Sequence, residues 1–287
     1  MRQPKVLQHV LIGATAALIV GGQFIGGNEE SGPILAKATE IVAPQAPTAA
    51  VDTTAPLTGV ADGDVDTRSE AQAALDALAP SVSGLSHPAA LERAFQSYYA
   101  FKAQHPEAVT KPYLYFVDYG QPSTAKRGYV FDMATHTIVD GPFTVAHGRG
   151  SSVSKYGIPT RFSNASGSAA TSLGLFLAQE TYGFSGHAGG MLYRSVGLRL
   201  KGLSGAWNDN ARARGVVAHG APYVTASASG RSEGCPAMEQ ARARRLLPKL
   251  ANGGLVFLFA PNEQWMKSDP WLLAAAKSVT GMVANAN

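Results

Sequence analysis

Between residues 111 and 263, short apolar segments alternate with turn residues, and this pattern constrains the fold more than any other feature. Aromatic and β-branched side chains dominate the segments, while Gly, Pro, Asp and Ser interrupt the chain between them. The predicted strands cover residues 113–119, 128–132, 137–140, 143–146, 173–177, 195–200, 215–219 and 254–260. This spacing is typical of a twisted antiparallel sheet or a barrel-like sandwich. We therefore predict a mainly β fold.

A few helices are predicted to flank this sheet. Residues 69–78 begin with a capping-box pattern, and residues 88–104 repeat apolar side chains at helical spacing. A third helix is predicted over residues 239–250, directly after the sequence Gly-Cys-Pro. The tail at 270–284 is compatible with one more helix packed on the domain.

The composition divides the chain into five segments. Residues 1–27 place two basic residues before an apolar run at 10–22, which is the pattern of an export signal and shorter than the roughly 20 residues of a membrane span. An uncleaved anchor remains the alternative. Residues 28–68, rich in Pro, Ala and Thr, predict a flexible linker. A helical segment (69–110), the main domain (111–263) and a helical tail (264–287) follow.

Cys235 is the only cysteine among the 287 residues, so it cannot form an internal disulfide. It lies in the sequence Gly-Arg-Ser-Glu-Gly-Cys-Pro, where Gly234 permits a close backbone approach and Pro236 fixes the chain beyond. A buried structural cysteine more often lies in an apolar run. Because an unpaired thiol in an exported protein risks oxidation and mispairing, we interpret Cys235 as a residue with a chemical role.

A histidine at the end of an apolar strand, His219, precedes this cysteine. A free thiol with a pKa near 8.5 is only a few per cent ionised at about pH 7, so it needs a base or a positive field. His219 is the candidate base, and the helix at 239–250 is expected to point its N-terminus toward the thiol. The backbone N–H groups of Gly234 and Cys235 are candidate oxyanion donors. A nucleophile, a base and an anion site are what acyl transfer requires.

Two short segments resemble the motif HG…S-x-G-C of the YkuD-type L,D-transpeptidases of bacterial cell walls. They are His219-Gly220 and Ser232-Glu233-Gly234-Cys235. Segments at 117–123, 145–150, 162–174 and 207–214 are similar to the murein L,D-transpeptidase subgroup and follow in the same order. The resemblance spans residues 112–262 and implies a β-rich domain that acts through a cysteine acyl enzyme.

The resemblance also implies roles for individual residues. Cys235 would attack the bond between the L-centre of a diamino acid and D-alanine in a peptidoglycan tetrapeptide stem. His219 would be the base, and the carbonyl of Gly220 would orient its ring. Ser232 would shape the loop, while Gly234 and Cys235 would bind the oxyanion. Transfer to a second stem's amine would give a 3→3 cross-link. Transfer to water would make the protein an L,D-carboxypeptidase, and a wall-binding protein with a degenerate site is the third alternative.

Five further residues are candidate contacts for the stem peptide: Arg231, His147, Arg149, Trp207 and Arg214. His147 is followed by glycine after a strand, as His219 is, so it is a candidate to line the cleft. A packing role for Trp207 and a salt bridge from Arg214 to Asp209 are the alternatives to substrate contact.

Two departures from the family pattern put substrate choice and activity in question. Glu233 stands where many members have His, and its carboxylate would oppose an oxyanion unless it is neutralised, a role that we expect of Arg231. Residues 236–238 stand where many members have an Arg or Asn.

The remaining expectations concern cofactors, partners and location. The chain lacks H-E-x-x-H and C-x-x-C patterns, so neither a metal site nor a cofactor is expected. The net charge is only +4 and the basic residues form no stripe, so nucleic acid is not an expected partner. We expect peptidoglycan stems as the partner, membrane contact only through an uncleaved N-terminal segment, and a location in the bacterial periplasm or cell envelope.

Overall fold

A computed structural model describes residues 67–274. The predicted export segment, nearly all of the predicted linker and the tail beyond residue 274 lie outside these residues, and the five segment boundaries stay predictions. No helix within the described range combines the length and the hydropathy needed to cross a membrane.

The described residues form ten strands, and their bounds are β1 (Tyr113–Asp118), β2 (Gly128–Asp132), β3 (Thr137–Phe143), β4 (His147–Gly148), β5 (Gly174–Ala188), β6 (Met191–Gly202), β7 (Val217–Gly220), β8 (Arg231–Ser232), β9 (Ala237–Met238) and β10 (Leu255–Phe259). Eight of them form one sheet in the order β3-β2-β1-β10-β5-β6-β7-β9, and β4 pairs with β8. The predicted mainly β fold is therefore confirmed.

The sheet is mixed, which corrects the expected antiparallel arrangement. β1 runs parallel to β10, and β7 runs parallel to β9. The other neighbours in the large sheet are antiparallel. The parallel pairing of β1 and β10 joins segments at opposite ends of the domain, and a pattern of local turns holds no information about such a pairing.

The helices are α1 (Thr67–Leu78), α2 (Ala90–Gln104), α3 (Gln240–Leu250) and α4 (Glu263–Met266), and residues 270–274 are also helical. The first three confirm the predicted helices at 69–78, 88–104 and 239–250. The apolar face of α2 packs on the sheet, where Phe95 meets Phe131 edge-on at 5.4 Å between ring centroids. Complete burial of one such aromatic side chain stabilises the fold by about 1.5–3 kcal/mol.

The hairpin of β5 and β6 is much longer than the predicted segments at 173–177 and 195–200. Gly189 and Gly190, with φ of +58° and +79°, form its tip, which suits the two-residue turns that close hairpins. Only the first residues of β5 pair with β10, so most of the hairpin extends beyond the central strands. Its side chains there are exposed or half-buried, and the sequence has no continuous apolar run to indicate a strand.

One predicted turn is also corrected. Asp140 and Gly141 lie inside β3, where the register with β2 shifts. In the predicted strand at 143–146, only Phe143 belongs to a strand, the last residue of β3, and Ala146 forms an isolated bridge to Ala237. Gly141 has φ of +138°, and an added Cβ would lie 2.6 Å from the Tyr129 ring. A bulge in the strand therefore takes the place of the turn.

The strand pairings fix the chain around Cys235. β8 ends at Ser232 and β9 begins at Ala237, so the cysteine lies in the short connection 233–236 between the two sheets. In the parallel pair of β7 and β9, His219 lies opposite Ala237, and the His219 N–H donates to the carbonyl of Pro236. The backbone thus places His219 beside the connection that contains the thiol.

Candidate active site

The connection that contains Cys235 is closed by hydrogen bonds of Ser232. The Ser232 Oγ donates to the Cys235 carbonyl at 2.6 Å and accepts from the Gly234 N–H at 3.2 Å. Gly234 has φ of +120°, and an added Cβ would lie 2.9 Å from the carbonyl oxygen of Ala170. Any other residue at 234 would be strained by its backbone angle and crowded by this neighbour.

The Cys235 thiol is partly exposed, and its Sγ lies 4.0 Å from the carbonyl oxygen of Gly215. Burial raises the pKa of this thiol, the backbone N–H of Val217 and the Arg214 guanidinium lower it, and the Glu233 carboxylate raises it. The net direction is upward, so the thiol is protonated near neutral pH and needs a base. α3 begins beyond β9 and contributes no residue to the cavities at the thiol, and an effect of its N-terminus on the thiol stays a prediction.

The His219 side chain is only 2% exposed, and two neighbours fix its ring. Its Nδ1 lies 3.2 Å from the carbonyl oxygen of Gly220. Since a carbonyl only accepts, this contact assigns the proton to Nδ1 and leaves a lone pair on Nε2. Phe184 stacks on the ring at 4.2 Å between centroids and 21° between planes. Burial lowers the pKa of His219 to about 4, against a smaller upward effect of the Gly220 carbonyl, so the imidazole is neutral near pH 7.

Two cavities meet at Cys235. The larger one, about 490 Å³, is walled by residues 166, 167, 169 and 213–216 together with Arg149. The smaller one, about 270 Å³, contains His219 and a set of aromatic side chains. Gly215, Glu233 and Cys235 line both cavities. One thiol is therefore accessible to two separate ligand segments, an arrangement suited to transfer of a group between them.

The L,D-transpeptidase catalytic domain family matches the chain over residues 84–259. The chain belongs to the L,D-transpeptidase family. This match covers more than half of the sequence and confirms the resemblance drawn from the His-Gly and Ser-Glu-Gly-Cys motifs. No curated protein matches the chain.

Solved structures similar to the chain are also L,D-transpeptidases. The protein from Mycobacterium smegmatis is 15% identical, with a TM-score of 0.31, over 52% of this chain and 59% of its own. The protein from Stackebrandtia nassauensis is 13% identical, with a TM-score of 0.33, over 68% and 91%. The protein from Xylanimonas cellulosilytica is 14% identical, with a TM-score of 0.32, over 77% and 100%. The chain thus spans about six tenths of the Mycobacterium smegmatis structure.

The charge of Glu233 in this L,D-transpeptidase family member is balanced by Arg149, which corrects the expected role of Arg231. The Arg149 Nε donates to both carboxylate oxygens, at 2.7 and 2.8 Å. Arg231 lines the smaller cavity, but its guanidinium donates to the carbonyls of Ser152 and Val153, both at 3.0 Å. Arg149 and not Arg231 pairs with Glu233 because β4 pairs with β8. This pairing places Arg149, the residue after β4, beside Glu233, the residue after β8.

Arg214 lines the larger cavity, and the salt bridge with Asp209 that was the alternative to substrate contact is not formed. Its guanidinium donates to the carbonyls of Ser163 and Ala170, at 2.8 and 3.0 Å, and to two serine hydroxyls of the same loop. Asp209 instead accepts from the Asn164 side chain. Arg214 therefore holds the loop that forms one wall of the cavity and places a positive charge near the thiol.

His147 and Trp207 lie away from the cavities, which corrects their predicted place among the substrate contacts. His147 has no exposed surface, and its Nδ1 lies 3.0 Å from a guanidinium nitrogen of the buried Arg127. Burial and this cation lower the pKa of His147 to about 3. Trp207 packs against the core, and its Nε1 donates to the Ser268 hydroxyl at 3.1 Å.

The long hairpin supplies cavity residues that the sequence analysis did not identify. Phe184, His187 and Tyr193 line the smaller cavity together with Tyr223, and the rings of Tyr193 and Tyr223 meet edge-on at 6.3 Å between centroids. His187, to which no role was assigned from the sequence, forms part of the cavity wall. The Gly189-Gly190 pair between aromatic residues is the signal that predicts a hairpin here. Within the described residues, no three His, Cys, Asp or Glu side chains are grouped in a way that would hold a metal ion.

Proposed function

We propose that the chain is an exported L,D-transpeptidase that joins peptidoglycan stem peptides through an acyl group on Cys235. The principal support is the cavity that Cys235 and His219 line together, which brings a protonated thiol and a neutral imidazole with an accepting Nε2 into one site. Family membership supports the reaction class. The nucleophile, the base, the 3→3 cross-link and export are parts of the proposal.

The first half-reaction forms the acyl enzyme. Because the raised pKa of the thiol and the lowered pKa of the imidazole keep both groups neutral, the proton moves from Sγ to Nε2 of His219 as Sγ attacks. The attacked carbon is the carbonyl at the L-centre of the third stem residue. Its oxygen becomes an oxyanion as the carbon–sulfur bond forms. When the carbon–nitrogen bond breaks, His219 returns the proton to the amine of the departing D-alanine, and a thioester remains on Cys235.

The oxyanion is proposed to bind at the Cys235 backbone N–H. Of the two donors expected from the sequence, the Gly234 N–H is already bonded to the Ser232 hydroxyl. No group within residues 67–274 accepts from the Cys235 N–H. Ser232 therefore acts as a positioning residue for the turn, and the Cys235 N–H is the donor that remains available to the substrate.

The second half-reaction uses the other side of the thiol. An acceptor amine enters from the cavity that the donor stem does not occupy. His219 takes a proton from this amine, and the amine attacks the thioester carbonyl. The carbon–sulfur bond breaks, Cys235 recovers its proton, and a 3→3 cross-link joins the two stems. Water in place of the amine would yield a tripeptide. The presence of two cavities at one thiol supports transfer to a second stem over hydrolysis.

The proposal is tested by the products formed from a purified disaccharide-tetrapeptide. The full chain is incubated with this substrate and the mixture is analysed by mass spectrometry, beside the Cys235→Ala variant. We expect cross-linked dimers from the wild type alone. Tripeptide without dimers would identify an L,D-carboxypeptidase, and the absence of both products and of any acyl adduct would favour a wall-binding protein.

Export is proposed from residues 1–27, which place basic residues before an apolar run. Fractionation of cells that produce the full chain tests this part independently of catalysis. We expect the protein in the periplasm or cell envelope. Retention in the cytoplasm would contradict the proposed location and leave the chemistry of the site unchanged.

A further inference from the structure

Residues 145–148 support both ends of the connection that contains Cys235. At the start of this connection, β8 pairs with β4. At its end, the carbonyl of Ala237 accepts from the Ala146 N–H at 2.8 Å. A displacement of residues 145–148 would therefore move the main chain on both sides of the thiol.

The same residues also determine where His219 lies relative to the thiol. Ala237 is the register partner of His219 in the pair of β7 and β9 and bridges to Ala146 on its other side. Gly148 lies directly against the turn of the thiol, since an added Cβ would be 2.7 Å from the Gly234 Cα. The positions of the proposed nucleophile and base thus depend on one short piece of main chain.

Arg127 holds this piece of main chain from inside the domain. Its Nε and one terminal nitrogen donate to the carbonyl of Val145, at 3.1 and 2.7 Å, and the same terminal nitrogen lies 3.0 Å from Nδ1 of His147. The other terminal nitrogen donates to the carbonyl of Gln121. The guanidinium carbon lies 4.8 Å from the centroid of the Tyr119 ring. The guanidinium is therefore fixed on its face and along its edge.

Stability alone does not account for this arrangement. Arg127 has no exposed surface, and within residues 67–274 its hydrogen-bond partners are two carbonyls and an imidazole, with no carboxylate among them. Burial of a cation without a bonded anion is costly. Because Nδ1 of His147 accepts from the guanidinium, its Nε2 carries the proton, and this buried atom has no partner among the same residues. Departures of this kind from polar satisfaction are expected at functional sites.

We propose that Arg127 is a positioning residue for the transfer of the proton from Cys235 to His219. Its hydrogen bonds fix residues 145–148, and these residues fix the turn of the thiol and the strand of the imidazole. Arg127 lines neither cavity, so it acts without touching the substrate. The inference rests on the proposed function and adds a buried arginine to the groups on which the reacting geometry depends.

The kinetics of Cys235 acylation by a carbapenem test this inference on the full chain. Arg127→Gln removes the charge and most of the hydrogen bonds, while Arg127→Lys keeps the charge and loses the planar fork. Because a misplacement of about 1 Å can cost roughly 100-fold in rate, we expect the maximal rate of acylation to fall by about 10- to 100-fold in both variants. The carbapenem concentration that gives half of this rate should stay unchanged, since no contact with the ligand is lost.

Two controls separate positioning from folding. The guanidinium of Arg242 also lies on an aromatic ring, 4.4 Å from the centroid of Phe143, but it pairs with Asp140 of β3 and makes no bond to residues 145–148. Arg242→Gln should lose stability in urea denaturation and keep the wild-type rate of acylation. Alkylation by iodoacetamide at a pH above the pKa of the thiol should match the wild type in both Arg127 variants, because a preformed thiolate needs no base.

A milder pair of variants gives the same test if replacement of the buried arginine prevents folding. His147→Asn offers an amide oxygen to the guanidinium in place of Nδ1, and His147→Leu offers no acceptor. We expect His147→Leu to be acylated more slowly than His147→Asn at equal folded fractions. Equal rates in these two variants would contradict the positioning role.

The other outcomes separate this inference from the proposed function. Wild-type rates of acylation in either Arg127 variant, or an equal loss of alkylation and acylation, would overturn the positioning role of Arg127 and leave the transpeptidase proposal intact. No adduct on Cys235 of the wild type, with a carbapenem or with a tetrapeptide stem, would overturn both.

Discussion

The ring of Phe184 stacks on the imidazole of His219, with 4.2 Å between centroids and 21° between planes. Phe184 lies in the part of β5 that extends beyond its pairing with β10, so the hairpin covers the face of the proposed base. The Gly220 carbonyl holds Nδ1 of the same ring at 3.2 Å. The imidazole is thus fixed by a main-chain acceptor and by an aromatic side chain from a different strand.

Phe184→Ala should lower the rate of Cys235 acylation, because the His219 ring loses its stacking partner. An aromatic pair contributes about 0.5–1.5 kcal/mol beyond area burial, so we expect about a 2- to 12-fold decrease in kcat/KM. Tyr156→Ala removes an exposed aromatic ring that lines neither cavity and serves as the control. An unchanged kcat/KM in Phe184→Ala would show that the stacking has no catalytic effect.

The sequence allowed prediction of the elements that are buried on both sides. β10 has five consecutive buried residues, and its continuous apolar run is visible without a structure. The outer half of the β5–β6 hairpin was missed because its partly exposed residues form no such run. β8 and β9 were missed because two residues are too short to show a period.

Some relationships in the candidate site could likewise be predicted from the sequence, and others could not. His219 and Cys235 are close in the chain and share a motif, so the sequence indicated their relationship. The ion pair of Arg149 with Glu233 depends on the register between β4 and β8, which local patterns do not contain. The burial of His147 depends on a distant partner, Arg127, and a His-Gly pair after a strand gives no information about that contact.

Gly220→Ala should destabilise the protein, because the site of a Cβ is already occupied. The added atom would lie 2.4 Å from the Ser195 Oγ, 2.8 Å from the Ala243 Cβ and 2.9 Å from the Gln240 Cα. Overpacking of this kind costs about 1–3 kcal/mol. Chemical denaturation measures the loss, with Gly183→Ala as the control, since no atom lies within 4 Å of its added Cβ. Equal stability of the two variants would contradict the packing described.

Arg214→Gln should raise the pKa of the Cys235 thiol further. The guanidinium favours the thiolate, so its removal shifts the pH dependence of iodoacetamide alkylation to higher pH. Arg214→Lys keeps the charge and should shift the curve less, although it loses hydrogen bonds to the loop. A midpoint that is the same in Arg214→Gln and in the wild type would exclude an electrostatic effect of Arg214 on the thiol.

The stability of the protein should fall as the pH falls below 6.5. Burial lowers the pKa of His147 from 6.5 to about 3 and that of His219 from 6.5 to about 4. Below pH 6.5 the unfolded chain therefore binds protons that the folded protein excludes, and unfolding becomes more favourable. His147→Gln removes one such proton. For each pH unit below 6.5, the free energy of unfolding of this variant should therefore fall by about 1.4 kcal/mol less than that of the wild type. Urea denaturation between about pH 6 and pH 4 measures how the free energy of unfolding changes with pH. Equal slopes for His147→Gln and the wild type would contradict the lowered pKa of His147.

The most direct test of the proposed mechanism is the mass of the acyl enzyme. The full chain is mixed with a tetrapeptide stem or a carbapenem, digested, and examined by mass spectrometry for the modified peptide. We expect the adduct on the peptide that contains Cys235, no adduct in Cys235→Ala, and formation slowed by about 10²–10⁴-fold in His219→Ala, as for loss of a general base. Turnover of the stem by Cys235→Ala, or an adduct on a different residue, would contradict the account.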